Sequence, residues 1–439
     1  MLQKNTIQTL EGRSAEAGYG IVGGSHDGTA PFPTTLVRRI GILAEGFAEW
    51  GGGIDFLRLI CSSILAADPT VELHLLLPDR GPRLATIRAL RGVKRALIST
   101  LVGYSVSEEA KRPTSQHIAD LIGEAEAVIH AHTIDIGSGA VARAARRLKL
   151  DAVLPAIKPL QVGKDLPWLG YIYDYQHVHL PQLFSPQEIK RRDDDFSRML
   201  ELARCVIVNA RAVAADIKTY HPQHRAKILT LPFAAAPNPR WLESAQAPTA
   251  KYGITGRYFI VSNQFWQHKD HLTIWRAFAR IRQDHPDIRL VCTGETQDYR
   301  NPNHMATLSA EADRLGITDR LHILGLIPKS DQIALLRNAI AVIQATLSEG
   351  GPGGGCIFDS VSLGVPSIVS NIPVNLELNE PTVRFFRTGD PDALAGAMHE
   401  HIVRPPSAPP SKDHLVGEGQ RRRIACGRSL LIAAAEMMV

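Results

Sequence analysis

The stretch Ile340-Ala-Val-Ile-Gln-Ala345, Thr346-Leu-Ser-Glu-Gly-Gly-Pro-Gly-Gly-Gly355, Cys356-Ile-Phe-Asp-Ser-Val-Ser-Leu363, Gly364-Val-Pro-Ser-Ile-Val-Ser370 decides the fold. It opens on an apolar run of strand length, Ile340–Ala345. It crosses a glycine-dense loop and reads as a helix from Phe358 to Leu363, with Asp359 in its first turn. It closes on a second apolar run, Pro366–Ser370. Short unbroken apolar runs are the mark of strands buried on both faces, and strand, helix, strand in that order is a βαβ unit.

The same alternation extends in both directions. Upstream lie strands at Tyr258–Ser262, Ile288–Thr293 and Leu321–Leu324, with helices at His271–Gln283, Met305–Leu315 and Ser330–Asn338. Downstream come Thr382–Phe386 and a helix over Asp392–His401. The first half repeats the theme. Arg38-Arg-Ile-Gly-Ile-Leu-Ala44 is a strand, Gly51-Gly-Gly53 a loop, Ile54–Ala66 a helix and Val71–Pro78 the next strand. Further strands are expected at Ala127–His130, Ala152–Ile157, Leu169–Tyr173 and Cys205–Asn209. The reading is therefore α/β: two Rossmann-like, doubly wound domains facing each other across a cleft.

Residues 1–36 read as a disordered or irregular extension, and 37–233 as the first domain. The Pro-bearing stretch 234–250 is the linker, 251–402 the second domain, and 403–439 a Pro-rich segment followed by a helix over Arg421–Val439. At 439 residues, two cores are expected rather than one. A net charge of +5 suits a small anionic ligand and does not by itself indicate nucleic acid. The five cysteines (Cys61, Cys205, Cys292, Cys356, Cys426) are scattered, so neither a disulfide framework nor a zinc site is indicated. No apolar run is long enough for a transmembrane helix, and no basic-then-apolar leader opens the chain, so a cytoplasmic location is expected. A basic–apolar run at 80–101, containing Arg83, Arg88, Arg91, Lys94 and Arg95, fits either a solvated helix face or peripheral contact with an anionic membrane.

Chemistry concentrates in the opening stretch. Glycines let backbone N–H groups approach an anion, and a helix N-terminus adds about half a positive charge, so a diphosphate suits Gly353, Gly354 and Gly355. An ionised carboxylate accepts two hydroxyl hydrogen bonds, which suits a ribose diol or a sugar edge near Glu349 and Asp359. A flexible loop followed by a helix-starting acid is the plain alternative. Lys269 precedes a helix, where its charge and the dipole act together on a phosphate, although for that residue taken alone a solvated lysine at a helix start is the plainer reading. Asp193-Asp-Asp195 contains a D-x-D but lies in a charged helical run, and no metal site is expected. There is no GxxxxGK[ST], no GxSxG, and no GxGxxG after the first strand, which argues against P-loop, hydrolase-elbow and nicotinamide chemistry.

Ser348-Glu-Gly, the acid at Asp359, and Ser362-Leu-Gly-Val-Pro-Ser-Ile-Val-Ser370 together resemble the donor-binding signature of family-4 retaining glycosyltransferases of the GT-B fold. The resemblance implies that Glu349 contacts the transferred sugar and Asp359 the nucleotide ribose. The second acid is Asp rather than Glu, and nine residues separate the two where the family has seven. Val261-Ser-Asn-Gln-Phe-Trp-Gln-His-Lys-Asp-His-Leu272 resembles the family segment that grips the diphosphate. Lys269 matches its Lys, and Asn263-Gln264 stands where the family has Arg. By the same resemblance Gly294 belongs to the donor site, Ile327 lies at the base, and Gly52 and Gly53 face the diphosphate. His132 contacts the sugar, with His130 as a fallback on the same face. Asp174 and His177 line the acceptor side.

The implied reaction moves a sugar from a nucleoside diphosphate sugar to an acceptor hydroxyl with retention. It needs no metal or other cofactor and no nucleic-acid partner. Two alternatives stay open: a nucleotide-sugar epimerase of the same architecture, and a non-catalytic sugar-nucleotide-binding protein.

Overall fold

A computed structural model describes residues 37–47, 51–78, 129–135, 137–163, 165–243, 246–406 and 409–438. The extension 1–36 and the basic run 80–101 lie outside the described residues. In chain order the first lobe comprises β1 (Arg39–Leu43), α1 (Gly51–Ala67), β2 (Glu72–Pro78), β3 (Ile129–Ile134), α2 (Ser138–Leu148), β4 (Ala152–Ala156), β5 (Trp168–Tyr171), the single turn α3 (Gln176–His179), α4 (Pro186–Leu202), β6 (Cys205–Val208), α5 (Arg211–Tyr220) and β7 (Lys227–Thr230). The second lobe comprises β8 (Tyr258–Ser262), α6 (His271–Ile281), β9 (Arg289–Thr293), α7 (His304–Leu315), β10 (Leu321–Ile323), α8 (Lys329–Arg337), β11 (Val342–Gln344), α9 (Gly354–Ser362), β12 (Ser367–Ser370), β13 (Val383–Phe386) and α10 (Pro391–Val403). A last helix, α11, runs from Lys412 to Glu436.

The first sheet has the order β3-β2-β1-β4-β5-β6-β7 and the second β10-β9-β8-β11-β12-β13. Every described pairing is parallel. Each order reverses beside its first strand, which makes two doubly wound Rossmann-like sheets and puts ligand crevices at the carboxyl ends of the central strands. Both faces of each sheet are covered. Leu57, Ile60, Cys61 and Ile64 recur at helical spacing on α1 and are buried against one face of the first sheet. Val141, Phe196 and Val213, from three other helices, cover the opposite face. Each such side chain contributes about 1.5–3 kcal/mol on leaving water. In the second lobe Trp275, Phe278 and Met398 pack one face, and Leu335, Ile357 and Val361 the other.

Three local expectations are corrected. Gly51–Gly53 is not a loop: α1 starts at Gly51, so Gly52 and Gly53 lie in its first turn. Likewise α9 starts at Gly354, so Gly354 and Gly355 are helical and Asp359 falls in the second turn, not the first. The final helix begins at Lys412 rather than Arg421. Its glycines, which lower helix propensity, permit close crossings instead. A Cβ on Gly427 would stand 1.9 Å from the Ser63 carbonyl oxygen on α1. Through that contact α11 returns to the first lobe, and Cys426, Leu430 and Ala434 join its core.

Candidate donor site and the lobe interface

The loop after β8 is set by packing. Phe265 is fully buried and stacks on His271 with ring centroids 4.3 Å apart. A short 3-10 turn, Gln267–Lys269, follows, and Asp270 takes a positive φ of 50° while capping α6 through Thr273 N at 3.3 Å. That reversal turns Lys269 inward, where it ion-pairs with Glu349 Oε1. The two side chains are 9% and 12% exposed. A buried pair is tolerable only if its remaining valences are met. Gln344, the last residue of β11, does this: its Nε2 donates to Glu349 Oε1 at 2.9 Å and to Gly353 O at 2.9 Å.

Asp359 lies on α9 and pairs with Lys329 Nζ at 2.5 Å. Lys329 is the first residue of α8, and its ammonium sits 5.4 Å from the centroid of the Trp241 ring. Burial raises the Asp359 carboxyl above its usual range, against the opposing pull of Lys329. Asp55 and Arg58, on α1 of the first lobe, also reach it electrostatically. Cys356 stands between the two acids. Burial pushes its thiol up to about 12, and Lys269, Glu349, Asp359 and Lys329 all act on it. It therefore stays protonated, donating to Gln344 Oε1 at 3.3 Å, and is no nucleophile.

The glycines of the loop divide by what they do. Gly353 has a φ of 71°, and its N–H donates to Asn375 Oδ1 at 2.8 Å. That amide is therefore already engaged, which corrects its reading as a phosphate donor. Gly354 N reaches only Gly351 O at 3.3 Å, in a turn. Gly355 and Cys356 occupy helix positions whose N–H groups have no intrahelical acceptor, the positions at which a helix start can offer amides to an anion. Asn263, where the family has Arg, is 8% exposed, and its Nδ2 is buried without a partner among the described residues. A ligand oxygen would satisfy it. Gly294 has a φ of 141°, and a Cβ there would lie 2.0 Å from Asn263 O, so glycine lets the ends of β8 and β9 converge. Ile327 is partly buried against the second lobe's core, which fits a packing role as well as a base contact.

Across the cleft, Gly350 meets the first lobe. A Cβ on it would lie 1.7 Å from Tyr173 O and 3.2 Å from Asp174 Cβ. Gly351 packs on Asn209 Cβ in the same way. Asp174 thus adjoins the donor loop, its Oδ1 accepting from Gln176 N at 3.0 Å and Arg192 Nη1 at 3.2 Å. His177 does not. It is buried beside Tyr175 and Phe196, with Nε2 2.9 Å from Asp193 Oδ1.

His132 is also set apart. It lies on the edge strand β3, with Nε2 3.0 Å from Nδ1 of buried His74, and the His130 ring lies beside that of His74. Burial, with Arg147 and His130 nearby, lowers its pKa. In the sheet order β3 is four strands from β5, and Tyr173, two residues beyond the end of β5, meets Gly350; four strand spacings are about 19 Å. The strand that leads to the Gly350 contact is therefore β5, and His132 lies on a strand set apart from it.

Several contributors were not expected from the sequence: Lys329, Gln344, Asn375, Glu377 and Arg300. Asn375 and Glu377 belong to one 3-10 turn after β12. Two polar residues alternating with apolar ones in Ile372-Pro-Val-Asn-Leu-Glu-Leu378 were the available signal. Glu377 accepts from Arg211 N and Ala212 N of the first lobe. Arg300 bridges the lobes, donating to Gln176 Oε1 at 2.8 Å and to His268 Nδ1 at 3.1 Å. Among the described residues no group of three or more His, Cys, Asp or Glu is arranged to hold a metal ion. Among them, too, no helix is long and apolar enough to cross a membrane.

Residues 249–409 match the protein family described as "Glycosyl transferases group 1". The curated "Glycosyltransferase 1 domain-containing protein 1" of Xenopus tropicalis is 26% identical over 199 residues, 43% of this chain and 55% of the relative. The matched part thus spans about half the length of that relative. Among solved structures, a sucrose-phosphate synthase from Thermosynechococcus elongatus is similar over 90% of this chain and 96% of its own, with a TM-score of 0.58 and 16% identity. HepE of Anabaena, solved in complex with UDP and glucose, is similar over 91% and 97%, with a TM-score of 0.54 and 14% identity. The fold is GT-B: two Rossmann-like domains, each built on a parallel sheet. The match to this family thus falls on the second lobe and the short segments beside it.

Proposed function

We propose that the chain is a retaining glycosyltransferase of the family-4 kind, moving a sugar from a nucleoside diphosphate sugar to an acceptor hydroxyl without a metal. The observation that carries this reading is the buried Lys269–Glu349 pair. It lies beside the free amides at the start of α9, inside the group 1 domain, and the loop following Glu349 touches Tyr173 of the opposite lobe.

The physical problem is departure of a diphosphate while the sugar becomes oxocarbenium-like. Lys269, the amides of Gly355 and Cys356, and the α9 dipole stabilise the growing phosphate charge. Freed from Lys269 as that cation turns to phosphate, Glu349 accepts sugar hydroxyls. Asp359, oriented by Lys329, accepts the ribose diol, and Ile327 lies toward the base. Asp174 faces the acceptor side. The lobe contacts exclude water, which limits hydrolysis of the donor. That HepE was solved with UDP and glucose puts uridine nucleotides first among the donors to try.

The test is a thermal-shift screen with UDP, GDP, ADP and TDP, followed by turnover of the matching nucleotide sugar over an acceptor panel. Binding raises apparent stability by mass action. Lys269→Ala and Glu349→Gln are expected to abolish turnover. Undiminished turnover in the double variant refutes the assignment, and donor conversion with no acceptor present identifies an epimerase instead.

A further inference from the structure

A hollow of about 450 Å³ opens beside the donor site, between the segment Gln182–Glu188 of the first lobe and Gln267 with Tyr299–Asn301 of the second. Its size lies in the range of roughly 300–1,000 Å³ found for small-molecule clefts. None of the residues that serve the diphosphate or ribose lines it.

Three observations define what it would hold. Tyr299 is 66% exposed, with its ring edge-to-face on Trp266 at 6.2 Å. An aromatic ring held out at the wall of a polar hollow offers a flat π-face, whose negative quadrupole attracts the C–H face of a pyranose. Around it, Gln182, Gln267, Asn301 and Glu188 supply amide and carboxylate groups, which donate to and accept from vicinal hydroxyls.

The third observation concerns charge. Arg300, the hollow's one cation among the described lining residues, is 8% exposed at its side chain. It is committed to Gln176 and His268, and its guanidinium lies over the rings of Phe184, Trp266 and Tyr299 at 5.1–5.4 Å. Asp298 stands 3.6 Å from its Nε. Among the described lining residues no ammonium or guanidinium is left for a phosphate or carboxylate, so the ligand that fits them is neutral.

The hollow is tied to the donor loop. Gln267 N donates to Asp298 Oδ2 at 2.9 Å, and Asn301 Nδ2 donates to Gln267 Oε1 at 3.3 Å. Gln267 and Lys269 share one turn, so whatever settles against Tyr299 and Asn301 sits on the loop that carries the diphosphate cation.

The geometry points to this hollow as a subsite for a neutral saccharide, the acceptor of the transfer, stacked on Tyr299 and held by the amides of both lobes. This rests on the glycosyltransferase reading for the ligand's role, but not for its binding.

The test uses the full chain, fluorescently labelled, on an array of immobilised neutral and anionic glycans, with Tyr299→Ala and Gln182→Ala as variants. Both positions are outside the donor site. The thermal shift with UDP and the other nucleoside diphosphates is measured on the same samples. The expected result is retention of neutral glycans, weakened roughly tenfold in Tyr299→Ala, the size expected for one aromatic contact, with nucleotide shifts unchanged. Retention of anionic glycans only, no retention at all, or undiminished retention in both variants overturns the subsite. Empty arrays with intact nucleotide shifts leave the donor reading standing. Glycan retention without any nucleotide shift removes the donor reading and keeps the subsite.

Discussion

Glu377 of the second lobe caps a helix of the first: its Oε1 accepts from Ala212 N at 2.7 Å and its Oε2 from Arg211 N at 2.9 Å. These are the opening residues of α5, whose own N-cap position is Ala210 and supplies no side-chain acceptor. Two residues earlier, fully buried Asn375 holds Gly353 N. One turn thus fastens the donor loop on one side and the opposite lobe on the other.

Glu377→Ala is expected to lower stability by about 1–2 kcal/mol, the range for a lost helix cap, and to open the cleft. Thermal melting reports the first effect, and small-angle X-ray scattering the second as a larger radius of gyration. Glu377→Gln keeps one acceptor and should fall between. An unchanged scattering curve for the alanine variant would show that the cap does not hold the lobes together.

The Lys269–Glu349 pair makes a double-mutant cycle informative. Either single truncation leaves a buried charge uncompensated and should cost about 3–5 kcal/mol. Lys269→Met with Glu349→Gln should cost clearly less than the sum of the singles, because neither charge is left alone. Additive losses in urea unfolding would mean that the two side chains do not interact.

Gly350→Ala tests the interlobe contact. The added methyl has no room at Tyr173 O, so the loop or the lobe must shift, at about 1–3 kcal/mol. Turnover should fall while nucleotide affinity, set within the second lobe, changes little. A variant with wild-type turnover would place Gly350 away from Tyr173 during the reaction.

Stability should decline on acidification. Burial holds His268 well below the usual imidazole range, helped by Lys269 and Arg300, and lowers His271 to about 3. In the unfolded chain both titrate near 6.5, so below that pH the unfolded state binds more protons. Stability is fully present above 6.5 and is lost as pH falls toward the folded values, by up to about 1.4 kcal/mol per pH unit for each ring. Denaturant midpoints between pH 7 and 5 should drop, and less steeply in His268→Gln. Equal slopes would exclude His268 as a contributor.

The alternation of strands and helices was readable because parallel strands buried on both faces are plain apolar runs, as Phe259–Val261 and Ile207–Val208 show. Helix starts built from glycine were not. Gly51–Gly53 and Gly354–Gly355 have poor intrinsic propensity, and only their tertiary setting makes them helical. In the site, Glu349, Lys269 and Asp359 each carried a local signal: an acid or a cation beside a loop or a helix start. Lys329 and Gln344 carried none, since their partners are brought to them only by folding. The placement of His132 was not legible either, because a His-x-His pair on a strand says nothing of which strand of the sheet it occupies.

The return of α11 to Ser63 and the first lobe's core changes how the covalent chain should be pictured. The polypeptide crosses between lobes twice, once through the segment after β7 and once between α10 and α11, so the second lobe is a guest inserted into the first. Cutting the backbone at either crossing leaves two fragments that are held together by the α1–α11 seam. Excising the second lobe intact takes two cuts, and the host that remains must be resealed between Thr230 and Lys412 to keep its last helix.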